Sequence, residues 1–514
     1  MKINHYKTFG LVVLALSAYF FSRFTADDAF IGWRYAKNLI DFGIWNYNPS
    51  NFDLTNAYTS PLLTFLSIIP EILGINVVLF FKLFFLINAF IVYFVVSDRL
   101  KDNSLLLIIF FALPSTIIHI FSGLETFFFI SFLFLLFVSM YKNNIFYTLT
   151  CSIVLVLTRP ESYSLVFILP IYFLVDDKIF SSLSIKNLFI KKKIFLSLGV
   201  FFSISAVILS LVYFNNKYFG YPLTNTFYVK TDSFFRPSVL LLYSFFITPL
   251  FYLLYIKKVK LFISISLFFL PMAFIYSISS LGMNYNMRFL FHIFAPIFLF
   301  ILYLSKNVNS EFSIKNIKNN LSLKATEKKL VHFFLVPFLC IFFYQSNFEL
   351  RATFTYYPRL LDSLGAFGSK LNLIKKKYNL NSIAYGDAGL LPYNSNLNNL
   401  DLFYLGSSKL TFQGINNKLI DLYNPQLIFF HTRGENKNIR KSKNQVAMMN
   451  WAKNKNYVEL CHLFVGLDYS IKVVSKKKIT ELIKICEESK VKNSYNDHQY
   501  IKRTLFIPPW YYWR

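Results

Sequence analysis

Charge is what this sequence has least of. Only 15% of its 514 residues are Asp, Glu, Lys or Arg, against about 25% in a soluble globular protein. Acidic residues are the scarcest, 26 in all. Four cysteines are too few for a disulfide scaffold, and 16 glycines with 17 prolines exclude collagen and Pro/Gly-rich disorder. Low charge combined with high apolarity also excludes a coiled coil. What fills the chain instead is apolar: 55% hydrophobic residues, among them 63 Phe and 34 Tyr, giving a mean hydropathy of +0.46. This leaves a mainly α-helical, polytopic membrane protein. The net charge of +27 would suggest nucleic acid in a soluble protein. In a membrane protein it points to cytoplasmic loops and anionic headgroups, so no nucleic-acid partner is expected.

A bilayer-crossing helix needs about 17–25 apolar residues, somewhat fewer where a span is broken. Runs near 8–24, 76–97, 104–121, 124–140, 144–158, 161–176, 194–214, 239–256, 261–280, 288–304 and 330–346 predict eleven spans. The first lacks a small-residue cleavage site and reads as a retained signal-anchor. The stretch 61–74, PLLTFLSIIPEILG, is short, contains Pro70 and Glu71, and reads as an interfacial helix. With a cytoplasmic N-terminus, the cytoplasmic segments hold 19 basic residues and the opposite loops 8, as the positive-inside bias requires. Counting 61–97 as two spans would invert everything downstream.

From 347 onward the apolar runs shrink to strand length, as in SIAY, LDLFYL and PQLIFF. The expected organisation is a membrane domain over 1–346, whose first external loop spans 25–75, followed by a small extracytoplasmic α/β domain over 347–514. That domain carries 25 basic and 12 acidic residues. Cys461 and Cys486 fall within it and read equally as a disulfide or as two thiols.

The polar residues that could carry chemistry gather on the external side. The first loop opens with Asp27 and Asp28 directly after an apolar run. Adjacent carboxylates at a membrane surface are costly unless solvated, paired or liganded. Partial burial raises a carboxylate's pKa and suits it to act as a general base. Asp27 also reads as the cap of a helix beginning at Ala29, whose Ile31, Tyr35 and Leu39 recur at helical spacing. On these residues alone the cap is favoured, and the two roles are compatible. SGLET places Glu125, and LTRPES places Arg159 and Glu161, at external ends of runs. YFGYPLTNTFYVK brings Asn225, Tyr228 and Lys230, and MNYNMRFL brings Arg288. Lys230 and Arg288 opposite paired carboxylates would form an anion site beside a base. The seven histidines lack metal-ligand spacing, and Gly365, Gly368 and Gly386 form no phosphate loop.

The ordered elements DDAFIGWRYAKNL, TNAYTSPLL, SGLET, LTRPES, YFGYPLTNTFYVK, MRFL and IAYGDAGLLPY resemble the GT-C superfamily of polyprenyl-phosphate-sugar-dependent glycosyltransferases. Within it, the chain is most similar to the group containing the mycobacterial terminal β-(1→2)-arabinofuranosyltransferase and the LphB-type proteins. The resemblance covers Asp27 to about Tyr393. It implies a GT-C fold in a bacterial inner membrane, with the C-terminal domain periplasmic. It implies a polyprenyl-phosphate sugar donor and an acceptor hydroxyl on an envelope glycan, a lipid-linked glycan or a protein. Asp27 would be the catalytic base, and Asp28 would orient the acceptor or a divalent cation; no other cofactor is implied. Lys230, Arg288 and Arg159 would contact the donor phosphate. Tyr58 and Thr59 fall where the family has an aromatic and small polar pair, and Glu125, Glu161, Asn225 and Tyr228 would line the substrate. Asp387 reads as a helix cap. Thr224 stands where the family usually has Pro, and the chain beyond 395 matches poorly. The rival readings are a transporter or flippase, or an assembly protein, for lipid-linked sugars. A transporter would need mid-span charges and related half-repeats.

Overall fold

The computed structural model describes residues 5–100, 104–175, 191–231, 235–280, 284–305, 317–433, 438–439, 442–466 and 469–489. The protein is mainly helical with one small sheet. Each of the eleven apolar runs is helical, because a bilayer-length apolar segment must satisfy its backbone internally. Among the described residues, four helices are long and apolar enough to cross a membrane: Val77–Ser97, Lys193–Phe219, Pro237–Tyr255 and Val259–Ile278. A fifth is added if Pro114–Phe121 and Thr126–Tyr141, which meet at 107°, are one broken span. Shorter apolar helices of 10–17 residues accompany them, and Ser104–Ala112 has nine. Most of the basic stretches 177–193 and 305–329 lies outside the described residues, as does 490–514.

Two compact units divide the chain. The first comprises 1–22, 81–212 and 231–350 and contains most of the apolar helices. Prolines and local turns break its helices. Pro114 opens Pro114–Phe121 immediately after Ser104–Ala112, where its missing N–H costs nothing. Asn144 caps Ile145–Thr158 through the Tyr147 N–H at 3.1 Å. Helix Arg288–Leu304 is buried along its whole length.

The second unit is assembled from 23–80, 213–230 and 351–514. Its mixed sheet runs in the order β2-β1-β3-β6-β5. These strands are β1 (Ser382–Tyr385), β2 (Asn398–Asp401), β3 (Leu427–Arg433), β5 (Val458–Gly466) and β6 (Tyr469–Ser475), and the short β4 (Asn438–Ile439) pairs with β3. β1 is parallel to β2 and β3, whereas β6 is antiparallel to β3 and β5. One face packs Ala384, Leu400, Ile428 and Phe430 against Leu419, Ile420, Met448 and Trp451 of the covering helices.

The loop 44–60 has no helix or strand to satisfy its backbone, so buried polar groups fix it. Asn38 donates to the carbonyls of Asn46 and Tyr47, both at 2.9 Å. Arg34 donates to the carbonyls of Tyr47 and Leu397, each at 2.5 Å. Asp53, 1% exposed, accepts hydroxyls from Ser407 at 2.7 Å, Ser408 at 2.6 Å and Tyr423, and the Lys409 N–H at 3.2 Å. Bonds to a charged acceptor are worth about 1.5–3 kcal/mol each, so Asp53 anchors this loop to helix Ser408–Gln413. Ile31, Tyr35, Trp45, Tyr47, Ala57 and Tyr58 form a small core beside it.

The expected interfacial helix 61–74 consists of two short helices, Pro61–Leu66 and Ile68–Ile72. They break at Ser67, whose hydroxyl turns back onto the Thr64 carbonyl at 2.6 Å. Cys461 of β5 and Cys486 of helix Thr480–Glu488 form a disulfide with their Cα atoms 6.4 Å apart. The pairing that the sequence left open is therefore made.

Candidate functional site

Asp27 and Asp28 sit where the chain turns into helix Ala29–Phe42. Asp28 occupies the cap position in a helical conformation, but its side chain does not cap the helix. Neither does that of Asp27, whose Oδ1 accepts the Leu390 N–H at 2.8 Å. Asp27 thus caps a helix from 363 residues away, Leu390–Ser395, instead of the one it precedes. This corrects the local cap expected from the sequence: a carboxylate is drawn to unpaired N–H groups at any helix start, and a distant one is in reach here.

Gly389 makes the approach possible. A Cβ at this position would lie 2.2 Å from the Asp27 carbonyl oxygen and 2.4 Å from Oδ2. Burial pushes the Asp27 carboxyl well above its usual range. The charge of Asp387 pushes the same way, the Leu390 N–H opposes it, and then Asp28 adds a further upward push. A carboxylate in that state takes a proton readily, as a general base must.

Asp387 is not the cap expected of it. The cap position of helix Leu390–Ser395 belongs to Gly389. Asp387 Oδ2 instead accepts the Tyr385 hydroxyl at 2.9 Å and lies 3.3 Å from His431 Nε2. The His431 ring, buried on β3, meets Gln445 Nε2 through Nδ1 at 3.3 Å. Gly386 leaves room for this ring, since a Cβ there would come within 3.0 Å of it. Asp401, fully buried at the end of β2, accepts the Phe403 N–H at 2.9 Å and the Gly406 N–H at 2.7 Å. Burial, reinforced by Asp387 and Asp28, pushes its pKa up to about 7 against those two bonds. Sequence reasoning assigned no role to Asp53, Asp401 or His431. Asp401 and His431 stand singly in or beside apolar strand-length runs and Asp53 stands singly in a loop, so no spacing among them marks a site.

The other expected residues divide between the two units. Tyr58 is buried, its hydroxyl 3.3 Å from Trp45 Nε1 and its ring edge-on to Tyr35. Thr59 beside it is half-buried. Asn225 donates to the carbonyls of Tyr404 and Leu405 at 2.7 and 2.9 Å, while its own N–H binds the Asn56 carbonyl. Tyr228 packs on Phe412 and Tyr221. Lys230, half-buried, ends helix Asn225–Lys230. All of these, with Asp27 and Asp28, belong to the sheet-bearing unit.

Glu125, Arg159, Glu161 and Arg288 belong to the helical unit. Arg159 is buried between two carboxylates. Its Nη1 binds Glu125, and its Nη2 and Nε hold Glu161 at 2.6 and 3.2 Å. Tyr276 extends this network from Glu161 at 3.2 Å to His292 Nδ1 at 3.1 Å. The Arg159 guanidinium is therefore committed to carboxylates and is not poised as an open phosphate contact. Arg288, buried at the start of its helix, lies over the Phe289 ring. Among the described residues, no group of three or more His, Cys, Asp or Glu could hold a metal ion.

Together these features define a helical membrane protein with a polar, carboxylate-bearing α/β unit. No protein-family model matches the chain, and no curated protein matches it.

Proposed function

We propose that the chain is an integral-membrane glycosyltransferase of the GT-C kind. It moves a monosaccharide from a polyprenyl-phosphate donor to a hydroxyl of an envelope glycan, glycolipid or protein. The observation that carries the reading is Asp27: a partly buried carboxylate, held by the backbone at Leu390 and Gly389, with its proton affinity raised. In the reaction, Asp27 takes the proton of the acceptor hydroxyl. The acceptor oxygen forms a bond to the anomeric carbon as the bond from that carbon to the phosphate oxygen breaks. Polyprenyl phosphate leaves with the electron pair, and the configuration inverts. Lys230 stabilises the departing charge. Arg288 and Arg159 are assigned to the donor by resemblance alone, and Arg159 would first have to release a carboxylate.

In this reading all eleven apolar runs cross or enter a bacterial inner membrane. The N-terminus is cytoplasmic and the sheet-bearing unit extracytoplasmic. The Cys461–Cys486 disulfide supports that placement, because disulfides persist in oxidising compartments. The buried Arg159, Glu125 and Glu161 network favours a second reading, a transporter of lipid-linked sugars, since charges within a helical membrane unit often mark a translocation path. Purified protein in nanodiscs separates the two. A glycosyltransferase cleaves the phosphate–sugar bond of a labelled polyprenyl-phosphate sugar and depends on Asp27; a transporter binds the same lipid and leaves it intact.

A further inference from the structure

Within the sheet-bearing unit, a cavity of about 760 Å³ opens between the 70–78 stretch, the 361–369 stretch and helix Leu390–Ser395. Its size falls within the about 300–1,000 Å³ usual for small-ligand sites. Its polar lining includes two carboxylates, Glu71 and Asp362, with Asn76, Ser369 and Asn394, and contains no Lys or Arg. Glu71 is fixed by the Tyr393 hydroxyl at 2.7 Å. Tyr393 is fixed in turn by Lys37, which donates to its carbonyl at 3.0 Å and lies 4.5 Å above its ring. Asp362 is clamped by Arg23 at 2.6 and 2.7 Å. It sits on a π-helical turn, Leu361–Gly365, a distortion frequent at functional sites. Glu71 is thus fixed from within the lining and Asp362 from outside it.

Two features limit the occupant. Asp362 is matched by Arg23, Glu71 adds a second carboxylate, and no cation in the lining faces the cavity, so nothing there would hold a phosphate and the polyprenyl-phosphate donor is disfavoured. Aromatic faces at Phe30 and Tyr393, beside carboxylate, amide and hydroxyl groups, instead suit a sugar's apolar face and hydroxyls. The rim is also apolar. Ile69, Ile72, Leu73, Ile75 and Leu79 are each 43–65% exposed along helix Ile68–Ile72, the turn after it and the start of Val77–Ser97. Such a strip matches a hydrocarbon chain at a membrane surface. Leu390 links cavity and base, because it lines the cavity while its N–H holds Asp27.

We infer that this cavity binds the uncharged saccharide headgroup of a glycolipid, whose hydrocarbon lies along the Ile69–Leu79 strip. Resting on the glycosyltransferase reading, this makes it the acceptor site. The test uses the full chain in glycoside-free nanodiscs and two benzophenone-bearing probes, octyl β-glucoside and its 6-phosphate. Mass spectrometry then locates the adducts. The neutral probe should label 70–78 or 390–394 at least tenfold more than the phosphate probe does. Ser369→Trp, an exposed position that would fill the cavity, should abolish that labelling, and Glu71→Gln should weaken it severalfold. Equal labelling by both probes, unchanged labelling in Ser369→Trp, or adducts confined to other segments would overturn the inference. Labelling needs no catalysis, so the two proposals fail separately. If sugar transfer is absent or persists in Asp27→Asn while cavity labelling holds, the base assignment falls and the cavity stands. If transfer depends on Asp27 but Ser369→Trp changes neither transfer nor labelling, only the cavity falls.

Discussion

Gly389→Ala tests whether the contact between the first loop and the turn at 386–390 holds the sheet-bearing unit together. The added methyl would sit 2.2 Å from a backbone oxygen of Asp27, and no rotamer change can move a backbone atom aside. The turn must retreat by about 1 Å to reach an ordinary contact, at a typical overpacking cost of about 1–3 kcal/mol. That retreat stretches the 2.8 Å bond from Leu390 to Asp27, which is worth about 0.5–1.5 kcal/mol when the acceptor is not charged. The combined loss is about 1.5–4.5 kcal/mol. For a unit of this size, 1 kcal/mol lowers the melting temperature by about 2–4 °C, so a drop near 10 °C is expected. Tryptophan fluorescence is the assay, because all five tryptophans fall in the stretches that form this unit. Gly43→Ala is the control. It is left-handed at the end of helix Ala29–Phe42 with open space around it, and should cost only about 1–2 kcal/mol. A Gly389→Ala melt no lower than the control's would refute the reasoning.

The remaining expectations concern the same unit. Asp401 keeps its proton up to about pH 7 when folded, while an unfolded Asp releases it near about pH 3.9. Between those values the folded state holds the extra proton, so stability is full at the acid end and falls as pH rises through the window. The fall is at most about 4 kcal/mol, and Asp401→Asn should flatten it; an unchanged profile by pH-dependent melting contradicts the assignment. The disulfide joins residues 25 apart, so removing both cysteines should cost about 3 kcal/mol. Non-reducing peptide mapping should recover a Cys461–Cys486 link, and alkylation of both thiols without reductant would contradict it.

Much of the helical framework was legible from the sequence, because bilayer-length apolar runs have few other stable conformations. Ser104–Ala112 and Pro114–Phe121 show the limit: one continuous run folds as two helices because Pro114 cannot continue the first. Asp27 stood out because paired carboxylates beside an apolar run demand a reason. Its true partner did not, since nothing local separates a cap on Ala29–Phe42 from one at Leu390. Asp53 was silent for the same reason: the hydroxyls that satisfy it lie more than 350 residues away. Cys461 and Cys486 stayed ambiguous because pairing depends on a proximity that the fold supplies.

The central claim is that Asp27 is a general base for sugar transfer, and one substitution addresses it directly. Asp27→Asn preserves size and can still accept the Leu390 N–H through its amide oxygen, so the protein should remain folded with an unchanged tryptophan melt. Its rate of transfer from a labelled polyprenyl-phosphate sugar, measured in nanodiscs beside the wild type, should fall by about 10²–10⁴-fold, the usual contribution of a positioned base. A folded Asp27→Asn protein that transfers sugar at the wild-type rate would contradict the account.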